Sequence, residues 1–223
     1  MRRFLLPLIC LILAAAIGLT AYHLLPQLGL GSPTATGASG NTAGGSETSA
    51  STTATTDGVG EPGRFQKVAA APGIAGIIVS DPQGDVDLGR YKGKALLINV
   101  WATWCPPCVA EMPSLDRLQA KLGSDHFAVV PVAVDEPNMA AVQDFITKHQ
   151  LQNLPVLLDM NHAIDRRIRL QSLPASLLVS PDGVILARFT GDNKWDCGKP
   201  LAAIEAFLKD GTIPADQLDP CEN

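Results

Sequence analysis

The stretch Trp101-Ala102-Thr103-Trp104-Cys105-Pro106-Pro107-Cys108 decides how the rest of the chain reads. It places two cysteines at C-x-x-C spacing between two different hydrophobic periodicities. Before it, Ala95 to Val100 (ALLINV) is a short, unbroken aliphatic run, the pattern of a buried strand. After it, Met112, Leu115, Leu118 and Leu122 recur at intervals of three and four, one face of a helix. The cysteines therefore fall at a strand-to-helix turn, with Cys105 at or just before the first helical turn.

That placement has chemical consequences. A helix N-terminus carries unpaired backbone N–H groups and a partial positive charge. Both favour a thiolate, the nucleophile of disulfide exchange. Cys105 is expected to attack a substrate disulfide, and Cys108, one turn further in, to resolve the mixed disulfide by attacking Cys105. Pro106 and Pro107 offer no N–H, so they limit the donors on the Cys105 sulfur and stiffen the turn. A structural disulfide and half of a zinc site are the competing readings. Zinc takes four ligands, usually as two paired sets, and the sequence has no second C-x-x-C and no H-x-x-x-H. No metal site is expected.

WATWCPPCVAEMPSLDRL (Trp101 to Leu118) and, much later, LPASLLVSPDGVILARFTG (Leu173 to Gly191) resemble the thioredoxin superfamily, specifically the membrane-anchored TlpA/ResA-like thiol-disulfide oxidoreductases. The resemblance covers roughly Ile77 to Leu208. It implies a thioredoxin-like α/β fold with a mixed central sheet flanked by helices, an N-terminal β-hairpin and a βα insertion. It implies no bound cofactor, the Cys105–Cys108 pair being the redox group.

Working outward toward the N-terminus, Met1-Arg2-Arg3 precedes the apolar run FLLPLICLILAAAIGLTA, which fits an export signal with its arginines kept inside. Small residues at Ala14 to Ala16 and at Leu19 to Ala21 offer cleavage sites. The run also continues through Leu25 toward Leu30 and nearly reaches bilayer-spanning length, so an uncleaved signal anchor over residues 1–30 is the preferred reading. Residues 31–66 are dominated by Gly, Ser, Thr and Ala and lack the apolar surface to offset their ordering entropy. They read as a flexible linker with a coil span of about 30 Å. The remainder, 67–223, reads as the thioredoxin-like domain. The whole chain has 223 residues, 17 Lys and Arg against 22 Asp and Glu, and no basic patch that suggests nucleic acid.

Across the boundary into the domain, Arg64 to Ala71 suggests a short helix or a docking segment. Ile74 to Val79 and Val86 to Leu88 suggest two strands around the turn Asp81-Pro82-Gln83-Gly84. Phe127 to Val134 suggests a buried strand, Met139 to His149 a helix, Leu154 to Leu158 a short strand, and His162 to Leu170 a short helix. Ser176 to Val179 and Val184 to Phe189 flank Ser180-Pro181-Asp182-Gly183, a hairpin signal. Lys199 to Lys209 suggests the last helix. Strands alternating with helices give an α/β fold.

Several further residues bear on the site. By resemblance Pro174 is the cis-proline that faces the active-site cysteines, leaving the backbone of Leu173 to pair with a substrate segment. Asn99 stands six residues before Cys105, where thioredoxin has a buried proton-accepting aspartate. An amide cannot titrate, so that role moves or vanishes. Glu111, three residues after Cys108, is the candidate replacement: it lies one helical turn away, and burial would raise its pKa toward neutrality. A solvated helix glutamate is the alternative. Trp104, beside the nucleophile, is expected with Pro106 and Pro107 on the docking surface, and Trp101 in the core. Cys197 and Cys221 have no C-x-x-C partner, and in an oxidising compartment such a pair commonly bridges. A Cys197–Cys221 disulfide would contribute about 3–4 kcal/mol. His126, His149 and His162 stand in no metal-ligand spacing.

The resemblance implies a periplasmic, membrane-tethered reductase of client disulfides, re-reduced by a membrane electron donor of the DsbD/CcdA type. Its implied clients are apocytochrome c and the copper-delivery machinery of cytochrome oxidase, whether a copper chaperone or an oxidase subunit. A disulfide-forming oxidase is one alternative, although strong oxidases resembling DsbA carry a histidine between the cysteines. A module that holds a client thiol or a copper ion without turnover is the other.

Overall fold

The computed structural model describes residues 62–69, 72–135, 138–213, 216 and 218. The chain divides into two units, 1–54 and 55–223, and every described residue belongs to the second. The expected export segment, most of the expected linker, and Cys221 lie outside the described residues.

A five-stranded mixed sheet runs in the order β1-β7-β6-β4-β5. Its centre is β4 (Ala95–Trp101), every residue of which is buried. β5 (Phe127–Ala133) lies parallel to it on one side, and β6 (Ala175–Val179) antiparallel on the other. An aliphatic strand covered on both faces needs no polar alternation, which is why ALLINV reads as one unbroken run. β7 (Ile185–Thr190) continues the sheet by pairing antiparallel with β6. Pro131 sits in β5, the outermost strand, where a missing ladder donor is tolerated.

The helices sort onto two faces. α1 (Pro106–Leu122) and α4 (Gly198–Asp210) pack on the face that carries Leu97 and Trp101. α2 (Met139–Lys148) reaches the same core through Val142 and Phe145. The opposite face, with Leu96, Ile98 and Val100, is covered by Ile74, Ile77, Val79, Leu88 and Ile164. These belong to the segment around the hairpin of β2 (Ile78–Asp81) and β3 (Gly84–Asp87), to the 3-10 turn Leu88–Tyr91, and to α3 (Ala163–Ile168).

Four expectations need correction. Arg64 to Ala71 does not open with a helix: Phe65–Lys67 is β1, paired antiparallel with β7, so the folded sheet begins two residues ahead of the expected boundary at 67. Phe65 closes the core against Phe189 and Trp195, with ring centroids 5.5 and 6.1 Å away. Ile74 to Ile77 is not strand; the hairpin starts at Ile78, and Ile74 and Ile77 are single apolar plugs in the core. Leu88 begins the 3-10 turn rather than ending a strand. Leu154 to Leu158 forms no strand and contributes only bridges from Leu158 to Ser80 and Ala133. The turn itself stands where composition put it, with Asp81 Oδ1 accepting from the N–H groups of Gln83 and Gly84.

Candidate active site

The chain leaves β4 at Trp101, turns through Ala102, Thr103 and Trp104, and enters α1 at Pro106. Asp135, just past β5, fixes that turn. Its carboxylate accepts from the Thr103 N–H at 3.1 and 3.2 Å and from the Thr103 hydroxyl. Cys105 is the helix N-cap, with extended backbone (φ −95°, ψ 103°). Its sulfur accepts one backbone donor, the Cys108 N–H at 3.4 Å. Pro106 and Pro107 fill the first two helical positions and supply no others.

Cys105 and Cys108 form a disulfide. Cys105 is the more exposed of the two, but only at 4% against 0% for Cys108. Trp104, Pro106 and Pro107 around it are exposed, Trp104 at 67%. The Leu173–Pro174 peptide is cis. Ala175 pairs in register with Val100, which sets Pro174 alongside Trp101 and Leu173 one residue further, at the C-terminal end of β4 from which the cysteine turn departs. Pro174 is buried and Leu173 half-buried.

Glu111 lies one turn beyond Cys108 and is 2% exposed. Asn99 Nδ2 donates to its Oε1 at 2.7 Å. Trp195 Nε1 and the Asn193 N–H donate to its Oε2 at 2.9 and 3.1 Å. Asn99 Nδ2 also donates to Ser176 Oγ at 3.0 Å, because Asn99 and Ser176 are register partners on β4 and β6. Burial pushes the Glu111 carboxyl up to about 7; the three donors pull it back down, and the charge of Asp192 adds to the push. The glutamate is thus no solvated helix residue. It titrates near neutrality, one turn from the disulfide.

Sequence reasoning missed the segment that holds this carboxylate. Asn193 and Trp195 lie in the connection between β7 and α4, remote in sequence from α1. Both are buried. The available signal was a tryptophan in a polar loop: a buried indole N–H needs an acceptor, and buried acceptors are few. Ser114, also unremarked, accepts from the Trp195 N–H at 3.1 Å and donates to the Glu111 carbonyl at 2.7 Å. Trp101 is core, as expected. Cys197 is disulfide-bonded at the N-cap of α4, while Cys221 lies outside the described residues. Among the described residues no cluster of three metal-ligating side chains occurs.

A C-x-x-C disulfide at a helix N-terminus, a cis-proline at the same sheet end and a buried carboxyl behind the pair define a thioredoxin-like redox fold. The chain belongs to the Redoxin family, whose model matches residues 66–207, and it is a TlpA/ResA-like member of the thioredoxin superfamily. It is 31% identical over 116 residues to thiol-disulfide oxidoreductase ResA of Bacillus thuringiensis subsp. konkukian, covering 52% of this chain and 66% of that protein. With ResA of Bacillus subtilis it is 30% identical over 115 residues, covering 51% and 63%. The matches thus span just under two thirds of the length of these curated relatives. The thioredoxin domain of a thiol-disulfide oxidoreductase from Bacteroides vulgatus shares the fold, with TM-score 0.52 and 23% identity, over 64% of this chain and 99% of that one.

Proposed function

We propose that this chain is a thiol-disulfide oxidoreductase, working as a reductase of client proteins. The observation that carries the reading is the Cys105–Cys108 disulfide at the head of α1, with buried Glu111 one turn behind it. In the reduced protein the Cys105 thiolate attacks a client disulfide, forming a mixed disulfide and releasing one client thiolate. Cys108 then loses its proton toward Glu111 and attacks Cys105 Sγ. The second client sulfur leaves, the proton passes to a client thiolate, and two electrons have moved to the client. The chain ends as the disulfide seen here.

The direction of electron flow rests on the donor set of Cys105. A thiolate with a single backbone N–H is less stabilised than one with several, and a less stabilised thiolate makes a less oxidising pair. The apolar run at the N-terminus supports a membrane anchor, with the redox domain in the periplasm and a donor of the DsbD/CcdA type in the same membrane. Among the described residues no helix is long and apolar enough to cross a membrane; the run lies outside them. The clients would be the copper-site assembly proteins of cytochrome oxidase, with apocytochrome c second. The test is the reduction potential of the pair, followed by tryptophan fluorescence in a dithiol buffer. A value near about −250 mV or lower supports the reductase, and one near about −120 mV overturns it in favour of an oxidase.

A further inference from the structure

The connection between β7 and α4 is fastened along one edge of α1 at three successive positions. Glu111 holds Asn193 and Trp195, Ser114 holds the backbone of Trp195, and Arg117 holds Asp196 through Nε at 2.6 Å and Nη2 at 3.3 Å. Residues 111, 114 and 117 are spaced by three, so a helical edge and an extended loop run side by side. The loop is tied from behind as well. Asn193 Nδ2 donates to the Leu218 carbonyl at 3.1 Å, and the Leu218 N–H donates to the Gly63 carbonyl at 2.7 Å. The Trp195 ring is fully buried and meets Phe189 edge-on, with centroids 5.0 Å apart.

The donors on Glu111 are distributed unequally. An ionised carboxylate has about four lone-pair sites, two on each oxygen. Oε2 accepts two N–H groups, from Trp195 and Asn193, and is filled. Among the described residues Oε1 accepts one, from Asn99, and keeps one site. A proton arriving at this carboxylate therefore has one place to go without breaking a hydrogen bond.

We propose that Trp195 is a positioning residue for the redox proton: its indole N–H, with the Asn193 N–H, occupies Glu111 Oε2 and leaves Oε1, on the side of β4, as the oxygen that takes and gives the proton. The inference rests on the reading of Cys105–Cys108 as a working redox pair. It makes a loop remote from the cysteines in sequence part of their proton chemistry. Among the described residues the groups acting on Glu111 are these. Asp192 on the same loop acts on its charge, β4 and β6 present the uncharged Asn99 and Ser176, and the cysteine pair heads its own helix.

The test uses the full chain in its oxidised form, where neither active-site cysteine titrates. The indole 15N–1H resonance of Trp195 is followed against pH. It is expected to shift with an inflection near 7, and E111Q is expected to abolish the inflection, which also assigns the signal. The second arm is the pH dependence of the reduction potential. W195F, which keeps the aromatic packing and removes the donor, should move the Glu111 inflection up by about half a pH unit or more, since the lost bond favoured the ionised form. W195F in the E111Q background should add no further change. An indole that does not titrate in wild type, or a W195F inflection unmoved in a folded variant, overturns the proposal. If W195F does not fold, the wild-type indole titration decides. A wild-type pair with no reversible couple would instead defeat the reductase reading, and the indole titration would still judge Trp195.

Discussion

Asn99 Nδ2 lies 2.7 Å from Glu111 Oε1, so the mid-strand residue of β4 and the first buried acid of α1 share a hydrogen bond in the core. A neutral amide at this position leaves a single ionisable carboxyl behind the cysteines. Asn99→Asp would put two carboxyls in hydrogen-bond contact, and two such groups cannot both ionise cheaply. They would titrate as a coupled pair, one member well above the ordinary carboxyl range. The folded variant then holds a proton that its unfolded chain has released, so its stability declines with rising pH more steeply than in wild type. Urea unfolding of the oxidised protein at pH 5 and pH 9 measures this. Equal declines in the two proteins would show that the carboxyls do not interact.

Glu111 alone already makes stability depend on pH, and the sign follows from its raised pKa. The folded value is about 7 against an ordinary 4.5. Below 4.5 both folded and unfolded chains carry the proton, and the favourable contribution of the protonated form is fully present. As pH rises the unfolded chain releases its proton first, so stability falls until the folded carboxyl also ionises near 7, and is level above that. A shift of this size corresponds to a loss of about 3 kcal/mol across the window. Glu111→Gln removes the titration, so this component of the slope should vanish between pH 4.5 and 7. An unchanged slope in the variant would place the titrating group elsewhere.

The sequence carried the cysteine turn, β4, α1 and the place of Glu111 because those features are local. An aliphatic run, a helical stripe and a C-x-x-C between them can be read within some thirty residues. What it did not carry is contact between distant segments. Phe65 is a strand residue because β7 offers an edge, and nothing in Arg64-Phe65-Gln66-Lys67 announces that edge. Leu154 to Leu158 is apolar enough for a strand, yet only Leu158 meets bridging partners. The Glu111 carboxyl was legible as an acid near the cysteines. Its pKa near 7 is set by burial against the pull of the Trp195 and Asn193 donors, some eighty residues on, and no local pattern encodes that packing.

Asp135 acts on the cysteine turn from outside α1. It is 7% exposed and accepts both the backbone and the hydroxyl of Thr103. Asp135→Ala leaves those donors without their acceptor, and hydrogen bonds to a charged group contribute about 1.5–3 kcal/mol. Thermal or urea unfolding should show a loss of that order, with faster proteolysis near Trp104. A variant as stable as wild type would mean that the turn is held by its own hydrogen bonds.

The burial of the two sulfurs predicts an order of reactivity. In the disulfide form Cys105, at the helix cap, is 4% exposed and Cys108 fully enclosed, so Cys105 is expected to be the more accessible thiol once the pair is reduced. Single-cysteine variants separate them: Cys105 in Cys108→Ala should alkylate roughly tenfold faster than Cys108 in Cys105→Ala at neutral pH. Cys108→Ala should also accumulate client mixed disulfides on Cys105, which mass spectrometry of captured peptides would locate. Comparable alkylation rates would reverse the assignment of nucleophile and resolving thiol.

Trp104 separates stability from recognition. It is 67% exposed, so its ring adds little to the fold, yet it stands next to a nucleophile that is almost covered. Exposed aromatic rings are common anchors at interfaces, because they bury large area with few rotors to freeze. Trp104→Ala should leave the unfolding midpoint nearly unchanged, within about 0.5 kcal/mol. It should slow reduction of a protein disulfide by about tenfold, the effect of an anchor worth roughly 1.4 kcal/mol. A small dithiol exchanger offers no surface to grip, so its rate with Cys105 should stay near that of wild type. If both rates fall together, Trp104 shapes the cysteine turn itself. If neither falls, clients dock on the Leu173–Pro174 side and leave the indole untouched.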